Sequence, residues 1–83
     1  MSNSYMQGVP QKTRISVLVF IKGSAAPIVM YVENPITVYE EIKKLFESGQ
    51  NKIYEKECFG PIKKVSFSTG QVAALAIQEE PCL

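Results

Sequence analysis

The stretch Asn34 to Gly49, NPITVYEEIKKLFESG, carries a complete helix signature. Thr37 and Glu40 have the spacing of a capping box, in which each side chain satisfies a free backbone N–H at the helix start. Asn34–Pro35 is an alternative start, because proline is favoured at the first helical position. Gly49 can adopt the left-handed conformation that commonly ends a helix. The segment therefore predicts one helix with two candidate N-termini.

The apolar residues of this helix recur at positions i, i+4, i+7 and i+8. They are Val38, Ile42, Leu45 and Phe46. Such spacing places them on one stripe of the helix surface. The stripe predicts that the helix packs against a sheet.

Two β-branched, apolar runs precede the helix. The first, residues 14–22, reads RISVLVFIK, and the second, residues 28–33, reads IVMYVE. In each run apolar residues alternate onto both faces, which is typical of a strand buried in the middle of a sheet. The short turn KGSAA between the runs contains a glycine and predicts an antiparallel hairpin.

Further strands follow the helix. Residues 52–59, KIYEKECF, alternate charged and apolar side chains as an edge strand does, and Gly60–Pro61 ends the run. Residues 62–68 predict another short strand. The segment 69–80 has two interpretations: a helix, or a helical turn over 69–72 followed by a strand over 73–78. We favour the second, because Gly70 weakens a helix by roughly 1 kcal/mol relative to alanine.

These elements predict an α+β fold with the order ββαββ(β). Its sheet has four to five strands and is mostly antiparallel, because the connections are too short for crossovers except the one through the helix. The single domain is expected to occupy residues 14–80. We expect residues 1–13 to be disordered and residues 81–83 to form a tail.

Composition narrows the class of protein and the compartment. The 83 residues carry a net charge of +1, which favours no long-range attraction to nucleic acid, membranes or acidic substrates. We expect no signal peptide, because residues 1–13 lack an apolar run, and no membrane span, because no apolar run approaches ~20 residues. Cys58 and Cys82 are too few for a disulfide scaffold and predict reduced thiols in the cytoplasm.

Residues that commonly carry catalysis are scarce. The chain contains no histidine. Lys22-Gly23-Ser24 lacks the glycines that a phosphate-binding loop requires. The paired glutamates predict a solvated surface rather than a cleft that separates their pKa values. We therefore expect a non-enzymatic protein with no catalytic, cofactor-binding or metal-binding residue.

Lysines and one tyrosine form an alternative candidate site. Lys52, Tyr54, Lys56, Lys63 and Lys64 could compose a basic sheet surface with an aromatic platform for single-stranded nucleic acid. Glutamates are interleaved with these lysines, so the local field largely cancels. A nucleic-acid-binding regulator is thus a secondary hypothesis, and an accessory small-molecule-binding subunit is another.

Surplus hydrophobicity is the stronger functional signal. One helix covers one face of a sheet, yet the first two strands are apolar on both faces. Leu18, Phe20, Val29 and Tyr31 would form an uncovered patch if they face away from the helix, and such patches usually mark an interface. We expect an interaction protein that forms a homodimer, or binds another protein, through these residues. The alternative is that the final segment covers the second face.

Overall fold

A computed structural model describes residues 12–81 of the chain. Within this range five strands and one helix succeed one another, with a short 3-10 turn before the last strand. The elements are β1 (Thr13–Ile21), β2 (Ile28–Met30), α1 (Pro35–Ser48), β3 (Ile53–Glu57), β4 (Lys64–Ser68), the 3-10 turn (Thr69–Gln71) and β5 (Val72–Pro81). The α+β fold and its strand order are those predicted.

The strands form two sheets instead of the single sheet expected. One sheet has the order β2-β1-β5, the other consists of β3 and β4, and every pairing is antiparallel. Within residues 12–81 a single bridge links the two, in which the N–H of Phe59 donates to the carbonyl of Tyr31 over 2.7 Å. The prediction that the helix forms a crossover connection within one sheet is therefore wrong. Because β2 has only three residues, it offers too little strand for β3 to pair with along its length.

The helix begins at the alternative start. Asn34 is the N-cap residue, Pro35 is the first helical residue, and the N–H of Val38 donates to the carbonyl of Asn34 over 3.0 Å. The capping box of Thr37 and Glu40 does not form, because both residues lie inside the helix. The helix ends at Ser48 as predicted.

Only part of the predicted apolar stripe is buried. Val38 and Ile42 are 3% and 0% exposed, whereas Leu45 is half-buried and Phe46 is 37% exposed. Tyr39 packs against the core as well, so the buried face centres on the first half of the helix. Including Phe46 in the buried stripe was wrong, because the last turn reaches the end of the sheet beside Lys22, Gln50 and Val72.

The core lies between the helix and one face of the sheet. Its buried residues come from β1, from β2 and the segment just after it, and from the helix, β4 and β5. They are Val17, Val19, Met30, Val32, Val38, Ile42, Val65, Phe67 and Val72. Each is apolar, and several are β-branched, which suits a small sheet packed on one helix.

The final segment follows the favoured interpretation, a turn and then a strand. The turn is fixed by Thr69, whose hydroxyl donates to the carbonyl of Gln50 over 2.7 Å and accepts from the N–H of Lys52 over 2.8 Å. β5 then pairs with β1 as far as Thr13 opposite Pro81. The strands thus include Thr13, which was expected to be disordered, and Pro81, which was expected to lie in the tail. The rest of the predicted disordered segment and of the tail lies outside the described residues.

Candidate interaction surface

One face of the three-stranded sheet lies on the side away from the helix. Its central row joins Val29 of β2, Leu18 of β1 and Ala76 of β5, which are direct register partners. Phe20 pairs with Ala74 two residues further along the strands. We call these five residues the open face. The structure therefore brings three of the four predicted interface residues together and adds two alanines from β5.

The open face lies outside the core. Val17 and Val19 alternate with Leu18 and Phe20 along β1, and both valines are 0% exposed. Leu18, Phe20 and Val29 are half-buried, and within residues 12–81 none of them belongs to the core or packs against it. These side chains therefore lie on the opposite face of the sheet from Val17 and Val19. A contiguous apolar patch of this kind is characteristic of an interaction site.

Side-chain size changes across the open face. The large residues Leu18, Phe20 and Val29 stand on β1 and β2, whereas β5 contributes only Ala74 and Ala76. Ala74 is exposed and Ala76 is half-buried. The face therefore has a raised half and a lowered half. Sequence reasoning missed the alanines, because their place depends on the register between β1 and β5.

Tyr31, the fourth predicted residue, is held by contacts within the chain. Its hydroxyl donates to Oε2 of Glu80 over 2.9 Å, and the Arg14 guanidinium lies 4.2 Å from the ring centroid. Nε of Arg14 is also 3.5 Å from Oε2 of Glu80. The hydrogen bond with Glu80, followed by desolvation, raises the pKa of Tyr31 above its ordinary value. These three residues form one polar end of the open face.

Ser16 lies beneath this polar end. One step beyond the pair Val17–Met30, the register places Ser16 opposite Tyr31. The Tyr31 side chain crosses β1 to reach Glu80 on β5, which accounts for the 0% exposure of Ser16. The Ser16 Oγ makes no hydrogen bond within the described part of the chain. The Tyr31 ring therefore acts as a cover over the sheet and not as a free contact surface.

The residues of the nucleic-acid alternative are divided between two faces of the β3–β4 hairpin. Tyr54 and Lys56 pair with the buried residues Phe67 and Val65, so they lie on the inner face. The Tyr54 ring stands 5.6 Å from the Phe67 ring, and its hydroxyl donates to Glu41 over 2.7 Å. Burial is the main cause of the raised pKa of Tyr54, and this hydrogen bond is the next largest. A half-buried ring in these contacts is a poor platform for a nucleobase.

Two of the lysines form ion pairs with glutamates, and the other two lie outside the strands of the hairpin. Nζ of Lys56 is 3.6 Å from Glu41, and Nζ of Lys64 is 3.6 Å from Glu55 on the outer face of the hairpin. The latter pair is an ion pair between the two strands of the hairpin. Lys52 and Lys63 are exposed in the segments that flank the hairpin strands. The five residues therefore do not compose one basic surface.

A shallow cavity offers the best geometry for the small-molecule alternative. Its volume is about 440 Å³, and it lies where β1 and β2 meet the loop after β3. Arg14, Tyr31 and Glu33 supply polar atoms, and Phe59, which is 57% exposed, supplies an aromatic wall. The Arg14 guanidinium already faces Glu80, so its charge is partly neutralised before any ligand enters.

Cys58 is half-buried in the loop that joins β3 to β4 and packs against the core. Burial raises the pKa of its thiol, and the nearby Lys56 offsets this to a smaller extent. A raised pKa lowers the thiolate fraction, which is the reactive form. The environment therefore favours a packing role for this cysteine.

Comparisons with known proteins give no further guide. No family model, curated protein or solved structure matches the chain. Among residues 12–81, no group of histidine, cysteine, aspartate and glutamate side chains is arranged to hold a metal ion. No helix in the same range is long and apolar enough to cross a membrane. The open face and its surroundings are therefore the features of this chain that bear on its function.

Proposed function

We propose that the protein is a small, non-enzymatic interaction protein of the cytoplasm that self-associates through the open face. The observation that carries the proposal is the position of Leu18, Phe20 and Val29 on the side of the sheet away from the helix, outside the core. A domain of this size buries only roughly 60–65% of its unfolded surface. Covering an apolar face by association adds to a stability that is otherwise small.

The shape of the open face favours a second copy as its partner. Two identical sheets that pack face to face about a two-fold axis bring the same patch of each copy into contact. The raised half, Leu18 and Phe20, then sits above the lowered half, Ala74 and Ala76, of the other copy. None of the five open-face residues is charged. Close packing therefore requires no charge to be desolvated.

The non-enzymatic part of the proposal rests on the residues available for catalysis. The chain has no histidine. Tyr31 and Tyr54 each donate a hydrogen bond to a glutamate, and their pKa values are raised, which disfavours their use as bases near neutral pH. The cytoplasmic assignment rests on the small number of cysteines.

Sedimentation equilibrium tests the proposal over protein concentrations of about 1 to 200 µM, where mass action shifts an oligomer that is held by a standard interface. The wild-type chain is expected to exceed its monomer mass of 9.2 kDa. Phe20→Glu places a charge in the open face and is expected to yield a folded monomer, as checked by circular dichroism. If Phe20→Glu fails to fold, the milder variant Val29→Thr takes its place and is expected to weaken association.

Ile53 provides a matched control. It is 70% exposed on the outer face of the β3–β4 hairpin, well away from the open face. Ile53→Glu is expected to leave the association constant unchanged, which separates a loss of the interface from a general effect of added charge. A wild-type chain that stays at 9.2 kDa at every concentration overturns the proposal. If a chain that starts at Lys12 associates when the full chain does not, residues 1–11 cover the face instead.

Nucleic-acid binding is the outcome that would replace this proposal. Fluorescence anisotropy with a single-stranded RNA at low salt gives a direct measurement, because phosphate contacts weaken steeply as salt rises. We expect no salt-dependent binding, since Lys56 and Lys64 already contact Glu41 and Glu55. Tight binding that Lys52→Ala or Lys63→Ala weakens would favour the basic surface over the open face.

A further inference from the structure

β5 forms a long outer edge of the three-stranded sheet. It spans Val72–Pro81 and pairs with β1 from Ile21 to Thr13. In the part of the chain that the structure describes, its other side pairs with no strand. Such a row of backbone N–H and C=O groups can bind another extended strand by adding it to the sheet. We call this side of β5 the β5 edge.

The β5 edge lacks the features that usually protect a strand from pairing. Protected edges are short, bulged, or carry lysine or proline near their middle. The run from Ala73 to Gln78 contains neither charge nor proline. The register shift with β1 lies at the start of the strand, between the pairs of Phe20 and Ile21. The middle of the edge is therefore regular and apolar.

We infer that the β5 edges of two copies pair antiparallel about a two-fold axis at Ala76, forming one six-stranded sheet. This inference goes beyond the face-to-face association proposed above and adds a second contact between copies, at the edge of the sheet. Charge decides the direction of pairing. A parallel arrangement places Glu79 and Glu80 beside the same residues of the second copy, and like charges directly opposite each other are destabilising. The antiparallel arrangement places them opposite Ala73 and Val72.

The faces of the sheet decide where the axis lies. A two-fold axis perpendicular to the sheet keeps both helices on one side. Because opposed side chains in an antiparallel pair share a face, one residue must lie directly opposite its own copy at the axis. The uncharged run Ala73–Gln78 is centred between Leu75 and Ala76. An axis at Ala76 pairs residues 72–80, whereas an axis at Leu75 pairs only residues 72–78. The longer overlap favours Ala76.

Pairing at Ala76 buries an apolar side chain that the monomer exposes. Ile77 is 37% exposed and lies on the helix side of β5, opposite Val17. In the paired sheet it stands opposite Leu75 of the second copy, which is half-buried in the monomer. Cross-strand pairs of apolar residues are a main source of sheet stability.

Edge pairing also widens the open face. The outer strands of a three-stranded patch are only about 10 Å apart, which is narrow for the ~800 Å² per partner of a standard interface. In the paired sheet, Ala74 and Ala76 of both copies lie between the two Leu18 side chains. The two open faces then form one continuous apolar surface of six strands.

Cysteine cross-linking tests the register. Cys58 and Cys82 are first replaced by alanine, and Ala76→Cys is then oxidised under mild conditions. At the axis the two Cα atoms lie about 4.5–5.5 Å apart, within the range that a disulfide spans. Rapid formation of a covalent dimer is expected. Ala74→Cys is the matched control: it lies on the same face and is more exposed, but the paired residues would be roughly 13 Å apart.

The outcomes separate the two proposals. Cross-linking at position 76 at least tenfold faster than at position 74 supports pairing at the β5 edge. Equal rates, faster reaction at position 74, or no cross-link at either position overturns the inference. If sedimentation still shows an oligomer in that case, self-association through the open face stands without edge pairing. A monomer at every concentration overturns both proposals.

Discussion

The hydroxyl of Tyr31 donates a 2.9 Å hydrogen bond to Glu80, which lies 49 positions further along the chain. Tyr31 follows β2 and Glu80 lies near the end of β5, so the bond connects the two outer strands of the sheet across β1. The Arg14 guanidinium lies 4.2 Å from the Tyr31 ring centroid and completes the contact. This relationship ties the first hairpin to the C-terminal strand.

Removing the hydroxyl should weaken that connection. Tyr31→Phe keeps the ring over Ser16 but loses the bond to Glu80, so the urea midpoint is expected to fall. Glu80→Ala, which removes the acceptor, also lowers it. Because both variants remove the same bond, the double variant should lose less than the sum of the two single losses. Strictly additive losses would show that the two side chains are energetically independent in solution.

Gly60 gives a second prediction through its contact with Tyr31. Its φ is 77°, and a Cβ at this position would lie 3.2 Å from Cδ2 of Tyr31. Gly60→Ala should therefore destabilise the fold by more than the about 1–2 kcal/mol that a left-handed alanine costs. Gly23 is the matched control, since its φ is 80° and nothing lies within 4 Å of a Cβ there. Equal losses in thermal unfolding would show that the Tyr31 contact yields without cost.

Local patterns were sufficient for the parts of the fold that depend on near neighbours. The alternation in β1 correctly separates Val17 and Val19 from Leu18 and Phe20, because a strand has a side-chain period of two. The start of the helix was harder to predict, since both Asn34–Pro35 and Thr37–Glu40 match known N-terminal signatures. Proline at the first helical position prevailed, which placed Thr37 inside the helix.

Long-range contacts escaped the sequence for a different reason. The polar end of the open face joins Arg14, Tyr31 and Glu80, and nothing near any one of them indicates the other two. The alanines of the open face depend on the register of β5 against β1, which a sequence pattern alone does not determine. The separation of β3 and β4 into their own sheet follows from the shortness of β2. Patterns identify elements, whereas register and strand length decide the site.

The buried face of the helix gives a third prediction. Ile42 is 0% exposed and belongs to the core, so Ile42→Ala should cost about 2–5 kcal/mol of unfolding free energy. Leu45 was equally placed in the predicted stripe but is only half-buried, and Leu45→Ala should cost less. Lys44→Ala, at an exposed position, should change stability by less than about 0.5 kcal/mol. Urea denaturation of the three variants measures the order. A larger loss at Leu45 than at Ile42 would contradict the orientation of the helix.

Thr69 supplies a fourth prediction. It is 2% exposed, and its hydroxyl contacts both the carbonyl of Gln50 and the N–H of Lys52. Thr69→Val keeps the shape but leaves these backbone groups without their partner, which should cost about 1–3 kcal/mol. Thr69→Ser retains the hydroxyl and should lose less. Hydrogen exchange at the Lys52 amide provides the local measurement, and an unchanged rate in Thr69→Val would show that another group replaces the hydroxyl.

Tyr54 supplies the last prediction, a dependence of stability on pH. Burial, and then the hydrogen bond to Glu41, raise the pKa of Tyr54 above its ordinary value of 10.0. The folded state therefore holds the phenolic proton more tightly than the unfolded state does. This contribution to stability is complete below pH 10.0 and is lost as the pH rises above that value.

Replacing Tyr54 isolates the effect from the other groups that face it, Glu41, Lys56 and Cys58. Tyr54→Phe keeps the packing on Phe67 but has no proton to lose, so its urea midpoint should fall less steeply than that of the wild type between about pH 9 and about pH 11. Below about pH 9, where the tyrosine is neutral in both states, the two curves should run parallel and differ only by the lost hydrogen bond. Identical slopes above pH 10.0 would mean that the Tyr54 hydroxyl is solvated in the folded protein and titrates as it does in the unfolded chain.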